Sequence, residues 1–153
     1  MPDDRDCLSC INNARVDLPP RELVHRGSTW RVAHAFGTAL AGWMVVLPRR
    51  HVIALDELTP AEAADLGPLL TDLTSALRQV VGCDKTYVAL FAEAEGFQHI
   101  HFHVIPRHPD LDAGFRGPRV FGLLGGDPAG YVPDGVMDQI GTSIARVLPI
   151  RSA

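Results

Sequence analysis

The sequence contains little lysine: Lys85 is its one lysine, and the rest of its 14 basic residues are arginine. The formal net charge is −4, and no stretch of the chain clusters basic residues. An acidic protein without a basic patch lacks the charge that binds duplex nucleic acid or an anionic membrane, so we expect neither partner. No apolar run approaches the ~20 residues that a membrane span needs. The N-terminal stretch MPDDRDCLSC lacks the basic and apolar regions of a secretory signal.

Cysteine is also scarce, with three residues in the chain. Cys7 and Cys10 form a C-x-x-C pair, and Cys83 stands alone after Gly82. So few cysteines, in an odd number, exclude the disulfide framework of a small secreted protein and favour the reducing cytoplasm. In that compartment we expect the pair to bind a metal or to act as a redox dithiol. Cys83 is expected to be a buried, small apolar residue.

The composition is that of a globular protein, with 153 residues of which 46% are apolar and 21% charged. This length favours one domain, and it buries enough surface to fold without disulfides. Turn residues separate four segments that are typical of strands from two that are typical of helices. The strand segments are 28–36, 43–47, 86–92 and 98–105, and the helical segments are 59–81 and 134–148. This order predicts an α+β fold, in which an antiparallel sheet packs with a main helix and a C-terminal helix.

The main predicted helix has recognisable residues at both ends. Thr59 is the expected N-cap, with Pro60 at the first helical position and Glu62 completing a capping box. Gly82 is the expected C-terminal stop. Inside the helix, Pro68 removes a backbone donor and is predicted to kink the helix or to split it into two pieces.

For the second helix, Asp134 is the expected N-cap. Apolar residues recur at helical spacing behind it and predict the face that packs on the core. These residues are Val136, Ile140, Ile144 and Val147. Residues 106–133, between the last predicted strand and this helix, are rich in proline and glycine and are expected to be irregular.

Seven histidines are present, and His99, His101 and His103 fall within five residues. Alternate side chains of a strand face opposite sides, so these three are predicted to share one face of the sheet. The apolar residues between them would pack on the helix. Imidazole acts near neutral pH as a nucleophile, acid, base or metal ligand. Three alternate residues of one strand are spread too widely to bind one ion together, so their spacing favours a reactive site.

The stretch from His99 to Ile105 resembles the His-φ-His-φ-His-φ-φ signature, in which φ is apolar, of the histidine triad (HIT) superfamily. Upstream, residues 42–51 (GWMVVLPRRH) resemble the strand and Pro-basic-x-His turn of the same superfamily. The similarity spans residues 7–108, which we interpret as the core of a single domain over residues 1–153. Residues 109–153 would add an irregular segment and the C-terminal helix. The resemblance implies an antiparallel sheet of about five strands.

The resemblance also implies a function. Members act on nucleotidyl phosphates such as nucleoside phosphoramidates, dinucleoside polyphosphates and related adenylated compounds, and they usually form homodimers by joining two sheets. The central histidine attacks the α-phosphorus, so His101 is the expected nucleophile, and His103 is expected to donate to the phosphoryl oxygens. Water then hydrolyses the nucleotidyl-histidine and releases a nucleoside monophosphate. A nucleotidyltransferase and a non-catalytic nucleotide-binding module stay open as alternatives.

Some bacterial members bind zinc with an N-terminal C-x-x-C pair, the histidine of the Pro-basic-x-His turn and the first triad histidine. The matching residues are Cys7, Cys10, His51 and His99. The resemblance therefore implies a structural zinc ion that has four protein ligands and is closed to water. The alternative, a redox dithiol, predicts no metal and a reactive Cys7.

Two positions depart from the superfamily's pattern. Gly96 stands where members carry a hydroxyl that helps to protonate the leaving group, so that acid is absent or is supplied by another residue. Ala35 stands where members commonly carry an Asp that holds the ribose, which leaves His34 and Phe36 to flank the base by stacking and hydrogen bonding. Gln98 is a further expected substrate contact.

Overall fold

A five-stranded antiparallel sheet forms the centre of the structure, a computed structural model that describes residues 5–149. The strands are β1 (His25–Arg26), β2 (Trp30–His34), β3 (Met44–Pro48), β4 (Lys85–Leu90) and β5 (Phe102–Arg107). The helices are α1 (Leu8–Ala14), α2 (Pro60–Val81) and α3 (Asp134–Val147). The strands lie in the order β1-β2-β3-β5-β4. Helices α2 and α3 pack on one face of this sheet, so the predicted α+β fold is confirmed.

Helix α2 begins and ends at the residues that the sequence predicts. The Glu62 amide donates to Thr59 Oγ1 at 3.2 Å, and the Thr59 amide donates to the Glu62 carboxylate at 2.8 Å, so the capping box is complete. Gly82 ends the helix with a φ of 70°, in the left-handed region that favours glycine. Between these ends, Leu73 and Leu77 are fully buried against the sheet. Their burial fixes the orientation of α2 over the sheet.

Of the two predicted effects of Pro68, the split is wrong, because Pro60–Val81 is one continuous element, and the kink stays a prediction. Gly67 precedes the proline, and a residue without a Cβ avoids much of the clash that a proline ring makes with its neighbour. The backbone hydrogen bond that the proline cannot make is outweighed by the apolar surface that the following turns bury.

The start of α3 also differs from its prediction. The N-cap is Pro133, and Asp134 is the first helical residue. Its carboxylate pairs with Arg21 at 3.2 Å and makes no capping hydrogen bond. Within residues 5–149, every helix is too short or too polar to cross a membrane.

The buried face of α3 is turned relative to the predicted one. The buried residues are Met137, Gly141 and Ile144. Val136 and Val147, which were predicted to face the core, are exposed. The physical reason is a close approach at Gly141, where a Cβ would lie 2.9 Å from the carbonyl oxygen of Pro20. Only glycine lets the helix pack this tightly on residues 20–22.

Three of the four predicted strands are found, as β2, β3 and β4, within two residues of their expected limits. The fourth is shorter: β5 begins at Phe102 rather than at residue 98, so the first two triad histidines precede the strand. Its partner sets this limit, because β4 ends at Leu90, the residue that pairs with Phe102. Before that point the chain is held elsewhere, since the Ile100 amide donates to the Val52 carbonyl at 2.8 Å. Strand β1 was not predicted, because two residues cannot display a period.

The second face of the sheet is partly covered by two segments that lie before β1 and after β5. Helix α1 lies over one side of this face. Residues 117–132 lie over the other, where Thr38 and Leu124 form an isolated β-bridge. A space between these two covers remains open above β2, β3 and β5.

Candidate active site and metal centre

The open space is a pocket of about 560 Å³ on the face of the sheet opposite α2. Ala33, Val45 and His103 lie side by side on β2, β3 and β5 and line its floor. Helix α1, residues 91–97 and residues 117–132 contribute the surrounding walls. The lining is mainly apolar with a few polar groups, which is typical of sites for small molecules.

His101 lines this pocket and has one nitrogen fixed by the backbone. Its Nδ1 lies 2.9 Å from the carbonyl oxygen of His99. A carbonyl oxygen only accepts, so Nδ1 carries a proton, and in the neutral ring the lone pair is therefore on Nε2. A neutral imidazole held in this tautomer has the form that a nucleophile needs.

His103 is fixed in the opposite tautomer. The indole Nε1–H of Trp43 donates to His103 Nδ1 at 3.0 Å, and because indole is only a donor, the proton of His103 must be on Nε2. The ring also contacts Phe121, with 5.0 Å between centroids. Burial, and after it the neighbouring His101, lowers the pKa of His103 to about 4. This residue is therefore a neutral hydrogen-bond donor at pH 7.

The structure brings two of the three triad histidines into the pocket. The rings of His101 and His103 meet edge to face, with 4.8 Å between centroids. His99 is absent from the pocket lining and is almost fully buried beside the chain's N-terminal cysteines. The expectation that all three line one open face is therefore wrong for His99, which precedes the strand and whose ring is held away from the pocket by the Pro48 carbonyl.

The four predicted metal ligands come together in one cluster. The ligand atoms of Cys7, Cys10, His51 and His99 all lie within 4.8 Å of one another. Cys10 Sγ is 3.2 Å from His51 Nδ1 and 3.5 Å from His99 Nδ1, and Cys7 Sγ is 3.6 Å from His99 Nδ1. Tetrahedral bonds of about 2.0–2.3 Å put neighbouring ligand atoms about 3.5 Å apart. The spacing and the Cys₂His₂ donor set therefore fit a metal ion.

The surroundings of His99 prepare it for this role. Its Nε2 lies 2.9 Å from the carbonyl oxygen of Pro48, which must accept, so Nδ1 keeps the lone pair that faces the sulfur atoms. Burial lowers the pKa of His99 to about 4, against the Pro48 hydrogen bond, which acts to raise it. A neutral imidazole is the form that binds a metal.

The predicted substrate residues are found in three different settings. Phe36 lines the pocket, is 55% exposed and pairs with Phe97 at 6.0 Å between centroids. His34 also lines the pocket, but Nδ1 bonds to the Ala35 carbonyl at 2.8 Å and Nε2 accepts from the Gly42 amide at 2.9 Å. Both of its nitrogens are thus occupied by the backbone. Gln98 is exposed and is not among the residues that line the pocket.

Several pocket residues were missed by sequence reasoning. Phe121 and Tyr131 lie in the segment that was expected to be irregular, and nothing local indicates that it folds over the sheet. Arg31 could have been found, because an arginine that alternates with the apolar residues of a buried strand has its side chain on the other face. Its partner Glu22 carries no comparable pattern.

Comparison with known families gives one match: the family model of the HIT domain matches residues 30–110, more than half of the chain. Two proteins from strains of Mycobacterium tuberculosis, both named as uncharacterized HIT-like proteins, are 32% identical to this chain over 68 residues. The match covers 42% of this chain and 47% of each relative. The chain thus spans about half the length of the curated relatives it matches.

Solved structures share the fold over most of the chain. A Zn-bound histidine triad family protein from Mycobacterium smegmatis has a TM-score of 0.67 and 17% identity, covering 94% of this chain and 96% of its own. A hypothetical histidine triad nucleotide-binding protein from Sulfolobus tokodaii has a TM-score of 0.68 and 15% identity, covering 93% and 91%. At these identities the likeness establishes the fold alone.

The role of Trp43 can be tested by removing its N–H. In the wild type we expect nitrogen NMR of the imidazole rings to find His103 protonated on Nε2, because Nδ1 accepts from the indole. Trp43→Phe keeps an aromatic ring and should release His103 into a mixture of tautomers. Trp30→Phe, which removes an indole N–H bonded to the Glu62 carbonyl, should leave His103 unchanged. Protonation on Nδ1 in the wild type would contradict the assignment.

Proposed function

The chain belongs to the HIT domain family, and on that premise we propose that it is a nucleotidyl hydrolase that acts through His101. The observation that carries the proposal is the 2.9 Å contact between His101 Nδ1 and the His99 carbonyl, which in the neutral ring assigns the lone pair to Nε2. The substrates are nucleoside phosphoramidates, dinucleoside polyphosphates or related adenylated compounds. The product is a nucleoside monophosphate.

In the first step, the Nε2 lone pair of His101 attacks the α-phosphorus. A P–N bond forms, and the bond between phosphorus and the leaving group breaks, with the electron pair departing on that group. The Nε2–H of His103, which the Trp43 contact fixes, donates to a phosphoryl oxygen as negative charge develops there. A neutral donor serves this purpose without attracting the free phosphate product strongly.

In the second step, water attacks the same phosphorus. The P–N bond breaks, its electron pair returns to His101 Nε2, and the proton of the water passes to the solvent. The imidazole regains its starting tautomer because the His99 carbonyl holds the Nδ1 proton throughout. One difficult displacement is thereby divided into two easier ones.

The leaving group receives little help from the loop that precedes the triad. Residues 91–98 contain no hydroxyl side chain. Gly96 occupies the position at which members of the superfamily carry the hydroxyl that helps to protonate the leaving group. A leaving group that departs as a stable anion, such as a phosphate, needs no proton, whereas an amine does. This favours dinucleoside polyphosphates over phosphoramidates among the proposed substrates.

Two alternatives rest on specific features. A nucleotidyltransferase would share the first step and pass the nucleotidyl group to an acceptor other than water. A non-catalytic nucleotide-binding module is favoured by the missing hydroxyl and by Ala35, which cannot bind a ribose as an Asp would. The three proposals differ in what becomes of the nucleotidyl group.

Replacing the nucleophile separates them. We expect His101→Ala to lower the hydrolysis of dinucleoside polyphosphates and adenosine or guanosine phosphoramidates by at least about 10³-fold. Mass spectrometry of the quenched wild-type reaction should find a nucleotidyl group on His101. His108→Ala, a histidine outside the pocket lining, should hydrolyse normally. A nucleotidyl-histidine that persists until an acceptor is added would indicate a transferase. If the wild type turns over none of these substrates, the non-catalytic binding module is the alternative that remains.

A structural zinc ion is the second part of the proposal. Cys7, Cys10, His51 and His99 would hold it, and the contact distances and tautomer described above support four ligands with no position for water. Such an ion supplies no reactive water; it fixes α1 to the start of β5. The redox dithiol is the alternative for the same cysteines.

Elemental analysis tests this part. Protein purified without chelator is expected to contain about one zinc ion per chain, and Cys10→Ser should lose most of it and melt at a lower temperature. Cys83→Ser, at a buried cysteine that does not belong to the cluster, should keep its zinc. Metal-free wild type with a Cys7 that alkylates rapidly would favour the dithiol. A reducing compartment such as the cytoplasm suits either reading of these free cysteines.

A homodimer is the third part. Within the described residues no strand pairs with the outer edge of β4, and Val88 on this strand is 47% exposed. A second copy that paired its β4 antiparallel would satisfy the free backbone groups and cover this side chain.

Light scattering distinguishes dimer from monomer. The wild type is expected at twice the mass of one chain. Val88→Lys should shift it to the monomer, because pairing of the two β4 strands would bring the lysines of both copies together. Val136→Lys, at a valine of α3 that is 40% exposed, should remain dimeric. A monomeric wild type would contradict the proposal.

A further inference from the structure

We propose that the end of the pocket beneath α1 is a recognition site for a neutral ligand edge that carries a hydrogen-bond acceptor beside a donor. Arg31 and Glu22 form it, and Asn12 and Ser9 flank it. The edge of a nucleobase and the hydroxyls of a ribose both have this chemistry. This inference rests on the proposed nucleotide substrate, of which this end of the pocket would bind the nucleoside part.

The main observation is a buried arginine that keeps one free nitrogen. Arg31 is 2% exposed. Its Nε donates to Asn13 Oδ1 at 2.8 Å, and its Nη1 donates to the carbonyl and carboxylate of Glu22 at 3.1 and 2.7 Å. Among the residues that the structure describes, none accepts from Nη2. Every deeply buried side-chain polar atom of these residues has a partner, so Nη2 touches open space, and the pocket is the space that Arg31 lines.

Glu22 supplies an acceptor beside that donor. Its Oε2 accepts from Arg31 Nη1, whereas no described group donates to Oε1. The side chain is 17% exposed and lines the same pocket. By the same reasoning as for Arg31, Oε1 reaches open space. One N–H donor and one carboxylate acceptor thus face the ligand from adjoining side chains.

The charge of this pair excludes an anionic ligand. The guanidinium of Arg31 and the carboxylate of Glu22 are 2.7 Å apart and cancel. A phosphate placed at Nη2 would lie against the Glu22 carboxylate and be repelled by it. A neutral group that accepts from Arg31 and donates to Glu22 meets no such repulsion and leaves neither charge without a partner.

The distance from the triad fits a nucleotide. Arg31 and Ala33 share a face of β2, and Ala33 lies across Val45 from His103. Two strand spacings and two residues along a strand separate the Cα atoms of Arg31 and His103 by about 12 Å. A phosphorus at the triad therefore leaves room for the rest of a nucleoside between the two points.

Asn12 and Ser9 extend the polar end from α1. Both are half-buried and line the pocket, and no described group bonds to their side chains. Because α1 begins at the cysteines of the metal cluster, the cluster holds these two side chains over Arg31. They add donors and acceptors that a base or a sugar could engage.

Product binding tests the site independently of turnover. Dissociation constants of AMP, GMP and ribose 5-phosphate would be measured by calorimetry for the wild type, Arg31→Lys and Asn12→Ala. Lysine keeps the buried positive charge opposite Glu22 but loses Nη2. The matched control is Arg49→Lys, whose Nη2 donates to the Asn13 carbonyl at 3.1 Å outside the pocket lining.

We expect Arg31→Lys to weaken AMP or GMP binding at least about tenfold and Asn12→Ala about threefold, with Arg49→Lys unchanged. If ribose 5-phosphate is unaffected by Arg31→Lys, the site reads the base; if it weakens equally, the site reads the ribose hydroxyls. If the folded variants bind AMP and GMP as tightly as the wild type does, the inference is overturned. It is also overturned if the wild type binds neither nucleotide. Variant-dependent binding by a wild type that hydrolyses nothing would instead overturn only the proposed hydrolase.

Discussion

The hydrogen bond from His101 Nδ1 to the carbonyl of His99, 2.9 Å long, decides which nitrogen of His101 faces the pocket, and it is only as rigid as His99. The ring of His99 is held at both nitrogens: Nε2 donates to the Pro48 carbonyl at 2.9 Å, and Nδ1 lies within 3.6 Å of the sulfur atoms of Cys7 and Cys10. A residue fixed through its side chain presents a fixed carbonyl. The cysteine–histidine cluster and the imidazole of His101 therefore depend on one short segment, and the three alternate histidines are divided between the cluster and the pocket.

Burial keeps the histidines of this region neutral, and opposite charges cancel at its buried arginine. The pKa values of His99 and His103 both fall to about 4, chiefly through burial, so each imidazole is uncharged at pH 7 and its tautomer is set by a neighbouring donor or acceptor. Arg31, the buried cation of the pocket wall, is balanced by Glu22. Selectivity in such a pocket follows from the direction of individual hydrogen bonds rather than from net charge.

Features that depend on neighbours in sequence were predictable, and features that depend on distant partners were not. Both ends of α2 follow from caps within one turn of the chain, and the shared position of His101 and His103 in the pocket follows from their alternate spacing. The start of β5 at Phe102 depends on where β4 ends, and Asp134 turns from capping α3 to pairing with Arg21. The cysteine–histidine cluster was predicted only through resemblance, because nothing local connects Cys7 with a histidine 92 residues later. Neither local sequence patterns nor the family resemblance predicted the polar end of the pocket, because Glu22 belongs to no motif or periodic pattern.

The walls of the pocket come from segments that precede, interrupt and follow the strands of its floor. Helix α1 closes one side and Phe121 and Tyr131 close the other. During synthesis on the ribosome, the sheet and the cysteine–histidine cluster have all their residues once the chain has passed residue 107 and cleared the exit tunnel. The second wall must wait for residues that are translated later. A nascent chain thus acquires its scaffold before it can enclose a ligand, which separates folding from recognition in time.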